Sequence, residues 1–310
     1  MLSSQKQWKN LSHNSGKLYE ITPRELKRMQ EILLMIYRDV YKVCKDNGLT
    51  LFLGGGSALG AVRHKGFIPW DDDMDLMMMR GDYEKFKVIF DQHLSDKYVL
   101  QVPGAKGKTP TNLFMKVILK GTTCLELVQK TAPGEHGLWI DIFPIEYAPE
   151  NRLLRRIKGF FTDALAYACV SNYLYTFDSR EMRAYAEGSA SAKVNRMIRL
   201  AIGWMMSFLS YEKWYGFFDR ASRGRRETGY ITIPTGIRHY MGELHKKDAF
   251  LPAKEIKFCG EEACVPGDTH EYLHQLYGDY MTPPPENKRE RHMYVELDFG
   301  KYAEDNHENA

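Results

Sequence analysis

The chain has 310 residues, of which 44% are hydrophobic and 27% charged. This ordinary soluble composition excludes a collagen-like, a wholly disordered or a small disulfide-stapled protein, and the length allows two domains or one elaborated domain. With 43 Lys and Arg against 40 Asp and Glu, the net charge of +3 lacks the basic excess that sequence-independent nucleic-acid binding needs.

Residues 1–20 are polar and read as a mobile tail without the apolar run of a signal peptide. Thr22-Pro23-Arg24-Glu25 is a helix start, with a Thr cap, Pro in the first turn and Glu three residues after the cap. Leu26, Met29, Leu33, Ile36, Val40 and Val43 then recur at helical spacing, and Asn47-Gly48 stops the helix. A strand over 49–53 runs into Gly54-Gly55-Gly56, and a short helix is predicted over 57–64. A strand over 74–79 and a helix over 82–94 follow, then strands near 98–102, 114–120, 124–128 and 138–145. This mixture predicts an α+β domain over 22–150.

From 151 to 229 the texture changes to long helical stretches rich in aromatic and basic residues. Arg152, Arg155, Arg156 and Lys158 alternate with Leu153, Leu154, Ile157, Phe160 and Phe161. Such a segment is either a helical cap with a buried aromatic stripe or an interfacial amphipathic surface facing a membrane or partner. Residues 230–300 carry strand-like pieces (230–233 and 255–258) and a helix near 269–277, expected to complete the site. Residues 301–310 read as a frayed tail. The longest uncharged stretches, 164–177 and 200–211, are too short to span a bilayer. Cys44, Cys124, Cys169, Cys259 and Cys264 form no CxxC pair, which predicts reduced thiols in a cytoplasmic protein.

The chemistry concentrates in residues 54–79. A strand entering a glycine turn at a helix start lets backbone N–H groups approach an anion, and phosphate is the natural guest. Downstream, Asp71-Asp72-Asp73-Met74-Asp75 leads into the apolar Leu76-Met77-Met78-Met79. Carboxylates so close repel one another unless a cation sits among them. Period two places Asp73 and Asp75 on one face of a strand, with Asp71 able to join them. Oxygen donors at this spacing suit Mg²⁺ or Mn²⁺ that also binds substrate phosphates. Asp141, alone in the apolar strand Leu138-Trp139-Ile140-Asp141-Ile142-Phe143-Pro144, is a candidate third carboxylate; a structural hydrogen-bonded Asp is the alternative.

Gly55-Gly56-Ser57, Leu59-Gly60-Ala61-Val62-Arg63-His64-Lys65-Gly66-Phe67-Ile68-Pro69-Trp70 and the aspartate run resemble the signature of the LicD family. That family groups bacterial phosphocholine transferases with the fukutin and fukutin-related sugar-phosphate transferases in the nucleotidyltransferase fold. The 139–144 block and the C-terminal Tyr272-Leu273, Tyr277-Gly278-Asp279-Tyr280-Met281, Pro283-Pro284 and His292 extend the resemblance over about 50–292. Ser57, where many relatives have Thr, is a mild departure.

The resemblance implies an α+β nucleotidyltransferase-fold mixed sheet with flanking helices, a helical insertion and a small C-terminal α/β part. It assigns Gly55, Gly56 and Ser57 to the phosphate loop, Asp73, Asp75 and Asp141 to the metal, and Asp71 to a further ligand. The reaction implied is transfer of phosphocholine from CDP-choline, or of another CDP-alcohol's phosphate such as CDP-ribitol or CDP-glycerol, to a hydroxyl of a cell-surface glycan or lipid-linked glycan precursor, with CMP leaving. Either Asp71 or Asp141 would take the acceptor proton. Arg63, His64 and Lys65 follow the phosphate loop and are candidate donor contacts, or else a solvated basic turn. Lys116 and Lys120 are candidate phosphate contacts, though lysines on a strand usually face solvent. His292 is a candidate for the acceptor side or a structural hydrogen-bonding residue. Trp70 and Tyr280 could stack on a base or face choline, or simply pack. A DxD glycosyltransferase and a non-catalytic binding protein are the competing classes.

Overall fold

The computed structural model describes residues 19–105, 112–187, 190–286, 289 and 292–303. The first helix, α1 (Pro23–Asp46), starts as its sequence dictates. Thr22 Oγ1 accepts from Glu25 N while the Glu25 carboxylate takes Thr22 N, closing a capping box. Its apolar stripe, including Met29, Leu33, Ile36 and Val40, is buried in the main core. Then come β1 (Phe52–Leu53), α2 (Gly55–Arg63), β2 (Asp75–Met79), α3 (Arg80–His93), β3 (Tyr98–Gln101), β4 (Met115–Leu119), β5 (Thr123–Glu126) and β6 (Trp139–Ala148). Several of these boundaries differ from the sequence expectation: β1 begins only at Phe52 and α3 already at Arg80, and three others bear on the site. Gly54 is extended and caps α2, so the helix begins at Gly55 rather than Ser57. β5 ends at Glu126 in a single 3-10 turn. β6 runs on to Ala148 because its last residues gain a new partner strand.

Among the described residues, nine strands form one mixed sheet. Its central path is β3-β4-β6-β2-β1-β10-β9, where β9 is Lys254–Phe258 and β10 is Glu261–Val265. β2 and β6 are parallel, as are β1 and β10; the remaining pairs on this path are antiparallel. The C-terminal half of β6 pairs with β7 (Tyr230–Thr232), which pairs with β8 (Leu244–Lys246). The C-terminal strands therefore extend the main sheet rather than forming a separate layer. β8 and β10 have no counterpart in the sequence expectation, and neither has β11 (Tyr294–Asp298). β11 pairs with β5 and carries His292 at its approach. Tyr19 bridges Tyr294, so the expected N-terminal tail is tied down at that residue; 1–18 and 304–310 lie outside the described residues.

The 151–229 segment is helical as expected: α4 (Arg152–Thr176), α5 (Arg180–Glu187), α6 (Ala190–Met205) and α7 (Tyr211–Ser222). It has a small core of its own, including Cys169, Tyr173, Tyr211, Tyr215 and Phe218. The helix α8 (Thr269–Tyr277) packs back on α2. All five cysteines are free. Among the described residues, no helix is long and apolar enough to cross a membrane.

Candidate active site

The centre of the sheet gathers the acidic residues. Asp75 on β2 and Asp141 on β6 are register partners, and Lys116 on β4 is the partner of Asp141 on its other side. Three adjacent strands thus present Asp75, Asp141 and Lys116 in one row on one face. The hydrophobic residues between them, Leu76, Met77 and Ile142, are buried and fix the register.

The N-terminal turn of α2 lies against this row. Ser57 Oγ accepts from Asp75 N at 2.9 Å, and Gly54 N donates to Asp75 O at 2.9 Å. Gly55 has φ +43°, and a Cβ there would stand 2.9 Å from Asp75 Oδ2. A Cβ on Gly56 would stand 3.0 Å from Asp71 Oδ2. The glycines therefore let the helix start approach two carboxylates. One amide of the expected phosphate loop is already committed, since Gly55 N donates to the Tyr272 hydroxyl at 2.9 Å. Gly56 and Ser57 remain as first-turn amides, which have no partner within their helix.

Asp71, Asp72 and Asp73 each offer an oxygen within 4.8 Å of the others. Gln30 holds the loop by donating to Asp71 O at 2.8 Å. His292 binds Asp72 twice, through Nδ1 at 3.0 Å and its backbone N at 3.2 Å, and its Nε2 stands 3.8 Å from Asp73. Asp141 Oδ2 accepts from Trp139 Nε1 at 3.2 Å, while Oδ1 lies 3.3 Å from Lys116 Nζ without a directed hydrogen bond. Lys116 is 3% exposed, sits 3.8 Å above the Trp139 ring and 3.8 Å from Glu126. It thus lies inside the cluster rather than facing solvent. Lys120, beyond the end of β4, is exposed and donates to Ser95 O.

The electrostatics follow from this crowding. Burial, then the neighbouring carboxylates, push Asp71 and Asp75 well above the usual carboxylate range. Burial raises Asp73 too, against the pull of His292. Burial lifts Asp141 to about 6 even though Lys116 opposes it. Burial works against a charged His292, but its hydrogen bond to Asp72 and the charges of Asp72, Asp73 and Glu126 overcome this and hold the imidazolium. Oxygen-only donors, mutual repulsion and an Asp141 oxygen without a directed partner fit a hard divalent cation. The Asp71–Asp72–Asp73 triad could hold such an ion.

The other sequence candidates separate. The Arg63 guanidinium donates to Tyr280 O at 2.6 Å and to His64 Nε2 at 2.9 Å, and Asp71 is the strongest opposing charge acting on it. The burial of His64 and the charge of Arg63 keep it neutral. Lys65 is exposed, and its Nζ turns back to Val62 O at 3.3 Å, a turn contact rather than a site contact. Arg289 stacks 4.0 Å over the Trp70 ring, so a protein cation covers one face that could have met choline. The Tyr280 hydroxyl is bonded to His270 at 2.9 Å. Three residues that the sequence reading left out enter the cluster: Asp72, Glu126 and Tyr272. Glu126 had a signal, a lone acid in an apolar strand. Asp72 stands in the aspartate run and Tyr272 in the C-terminal block of the resemblance, but neither pattern gives their partners, which are more than two hundred residues away in sequence.

Residues 48–157 match the family model described as LicD/FKTN/FKRP, nucleotidyltransferase domain. The chain is 25% identical to the lipopolysaccharide cholinephosphotransferase LicD of Haemophilus influenzae (strain ATCC 51907 / DSM 11121 / KW20 / Rd) over 279 residues, which are 87% of this chain and 97% of that protein. It is also 31% identical over 90 residues to an uncharacterised protein of Rickettsia typhi (strain ATCC VR-144 / Wilmington), 28% of each chain. A Rickettsia prowazekii (strain Madrid E) protein is 30% identical over 82 residues, 26% of this chain and 29% of that one.

Proposed function

Because the chain belongs to the LicD family and is a phosphotransferase of that kind, we propose that it transfers phosphocholine from CDP-choline to a hydroxyl of a cell-surface glycan precursor and releases CMP. The observation that carries this reading is the contact of the α2 glycine turn with the carboxylates: Gly55 against Asp75 and Gly56 against Asp71. A helix N-terminus that favours anions and a carboxylate set that favours cations meet at one point. A diphosphate bridged to Mg²⁺ or Mn²⁺ satisfies both.

In this reading Asp73, Asp75 and Asp141 hold the metal with Asp71 beside them. When bound, it neutralises charge that develops on the phosphates. Gly56 and Ser57 orient the donor phosphates through their amides. Lys116 keeps Asp141 aimed into the cluster, and His292 ties the aspartate loop to the approach of β11. The acceptor proton goes to a carboxylate of the cluster, Asp71 or Asp141. Arg63 is held near Asp71 and supplies positive charge on the donor side.

We also assign peripheral contact with a membrane, at its cytoplasmic face, to the 151–229 unit. It carries fourteen Lys and Arg against seven Asp and Glu, while the rest of the chain is net acidic. α6 is turned inside out. Val194, Met197, Ile198, Trp204 and Met205 are 50–65% exposed, whereas the half-buried Arg196 and Arg199 line a half-open cavity on the other side of the helix. Leu153, Ile157, Phe160 and Phe161 form a second exposed stripe on α4, flanked by Arg152 and Arg156. Apolar stripes with basic borders suit an anionic bilayer surface.

The test is incubation of the protein and Mg²⁺ with CDP-choline, CDP-ribitol and CDP-glycerol, reading CMP release and thermal shift. Metal-dependent CMP release with CDP-choline preferred is the expected result. Preference for a polyol donor would move the donor assignment to that alcohol, and absence of metal-dependent CMP release from all three would overturn the reading. Flotation with anionic liposomes tests the membrane contact; failure to float would remove it.

A further inference from the structure

A run of positive charge, Arg220-Ala221-Ser222-Arg223-Gly224-Arg225-Arg226, leaves the end of α7 and packs on the far end of β6. Its arginines, with Lys158 of α4, line a half-open pocket of about 440 Å³. This volume is in the range of small-molecule sites, roughly 300–1,000 Å³. Tyr147, which also lines the pocket, lies six residues along β6 from Asp141. That is about 20 Å of strand, so the pocket is separate from the carboxylate row.

The turn that carries these arginines is held from several sides. Glu146, fully buried on β6, accepts from Gly224 N at 3.0 Å and from Arg80 Nε at 2.6 Å. Gly224 lies flat on the strand, and a Cβ there would stand 2.7 Å from Tyr147 N. Lys158 Nζ donates to Arg223 O at 2.8 Å. The Arg223 guanidinium is committed to Asp219 at 2.7 Å and to Glu84 at 2.9 Å. Lys158, Arg220, Arg225 and Arg226 remain, and none of them forms an ion pair among the described residues. No carboxylate lines the pocket. The acids beside it are engaged elsewhere: Glu227 holds Lys247 at 2.8 Å, and Glu150 takes Gly229 N. Burial lowers the Lys158 ammonium from its ordinary value, and Arg225 adds to this against the pull of Glu146.

Like charges collected on a fixed turn repel one another, and an anion among them removes that cost. Guanidinium groups present paired N–H donors, which match the oxygens of a phosphate. A single carboxylate would leave most of these donors unused. A terminal phosphate, with three acceptor oxygens and close to two charges, uses more of them than a diester does. We propose that this pocket is a second phosphate site, which takes a terminal phosphate or diphosphate group and is distinct from the site assigned to the donor at the α2 turn. The pocket adjoins the apolar stripe of α4: Lys158 stands one turn after the exposed Leu154 and one turn before Phe161. The group therefore comes either from a phospholipid headgroup at a bilayer surface or from a soluble phosphate ester, and the chemistry recognised is the same. The assignment does not depend on the identity of the donor.

Isothermal titration of the full-length protein with pyrophosphate in excess chelator tests this. Without metal the carboxylate row repels the anion, so the catalytic site does not mask the result. The parent should bind one pyrophosphate. Arg225→Gln/Arg226→Gln should weaken binding by about tenfold or more. Both residues are exposed, so the fold does not depend on them. Arg152→Gln/Arg156→Gln removes the same charge from the exposed face of α4 outside the pocket, and should leave the affinity within about twofold of the parent's. No binding by the parent, or equal weakening by the two double variants, would overturn the proposal, the second by showing diffuse attraction in place of a site. Flotation with phosphatidylcholine vesicles carrying phosphatidate or, at matched surface charge, phosphatidylglycerol separates the two sources. A preference for phosphatidate that Arg225→Gln/Arg226→Gln removes assigns the pocket to a lipid headgroup. Equal flotation with both, alongside pyrophosphate binding in solution, assigns it to a soluble phosphate ester.

Discussion

Gly55 stands against Asp75 so closely that a Cβ would lie 2.9 Å from the carboxylate oxygen, and its φ is +43°. Both facts forbid a side chain. The Gly55→Ala variant is therefore strained in its backbone and must push Asp75 aside. A destabilisation of about 1–3 kcal/mol is expected from the backbone alone. Turnover should fall further than stability explains, because the displaced carboxylate belongs to the proposed metal set. Gly48 also has positive φ (+66°), with nothing within 4 Å of a built Cβ, and serves as the control. Gly48→Ala should destabilise without changing kcat in the folded fraction.

Asp73→Asn and Asp75→Asn separate function from folding. Each carboxylate is half-buried, and desolvation together with the neighbouring carboxylates raises its pKa. Removing one charge relieves repulsion in the metal-free protein. The expected outcome is a melting temperature equal to or above that of the parent in chelator, with turnover lower by about 10²–10³-fold in Mg²⁺. The stabilisation that Mg²⁺ gives the parent should also shrink. Full activity in both variants would contradict the metal assignment.

Lys116 predicts a different pattern. It is buried between Asp141, Glu126 and the Trp139 ring. Lys116→Met leaves two carboxylates facing an apolar wall. Removing one partner of a buried ion pair costs about 3–5 kcal/mol. Adding Glu126→Gln and Asp141→Asn should restore part of that stability while abolishing turnover. Chemical denaturation of the single and triple variants checks this; equal midpoints for both would show that the pairing is not what holds Lys116.

Much of this site is legible in the sequence, and what is not has a common cause. The capping box of α1, the glycine turn and the Asp73/Asp75 pair are local patterns, readable from spacing. The pairing of Asp75 with Asp141 is a register between strands 66 residues apart, and no local pattern carries it. Asp72 alternates away from Asp73 on an extended chain, so periodicity discards it. It enters because His292, 220 residues later, folds back onto it. Lys116 on its own strand reads as a surface lysine, and only the acids on β5 and β6 make its burial tolerable. The stripe on α6 is visible as periodicity, but which side faces inward is set by packing. Here the side with Arg196 and Arg199 faces the cavity.

Glu243 carries a pH prediction away from the active site. It is 3% exposed, and burial raises its carboxyl from 4.5 to about 7, against the hydrogen bond from Arg238 N. The folded state therefore holds this proton more tightly than the unfolded chain. Its contribution is fully favourable below the unfolded pKa and declines as pH rises through the folded one. By about pH 8 the loss approaches ~3 kcal/mol at 1.36 kcal/mol per pKa unit. His245 acts in the opposite sense: burial lowers its pKa from 6.5 to about 4, so its effect on stability improves as pH rises through that window. In the parent the two slopes oppose one another between about pH 4.5 and 6.5. Glu243→Gln keeps an oxygen for the Arg238 amide but removes the titration. Urea denaturation across pH 5–8 should show the variant gaining stability over the parent steadily as pH rises, with the difference levelling off above pH 7. A pH-independent difference would mean that the Glu243 carboxyl titrates in the folded protein as it does in water.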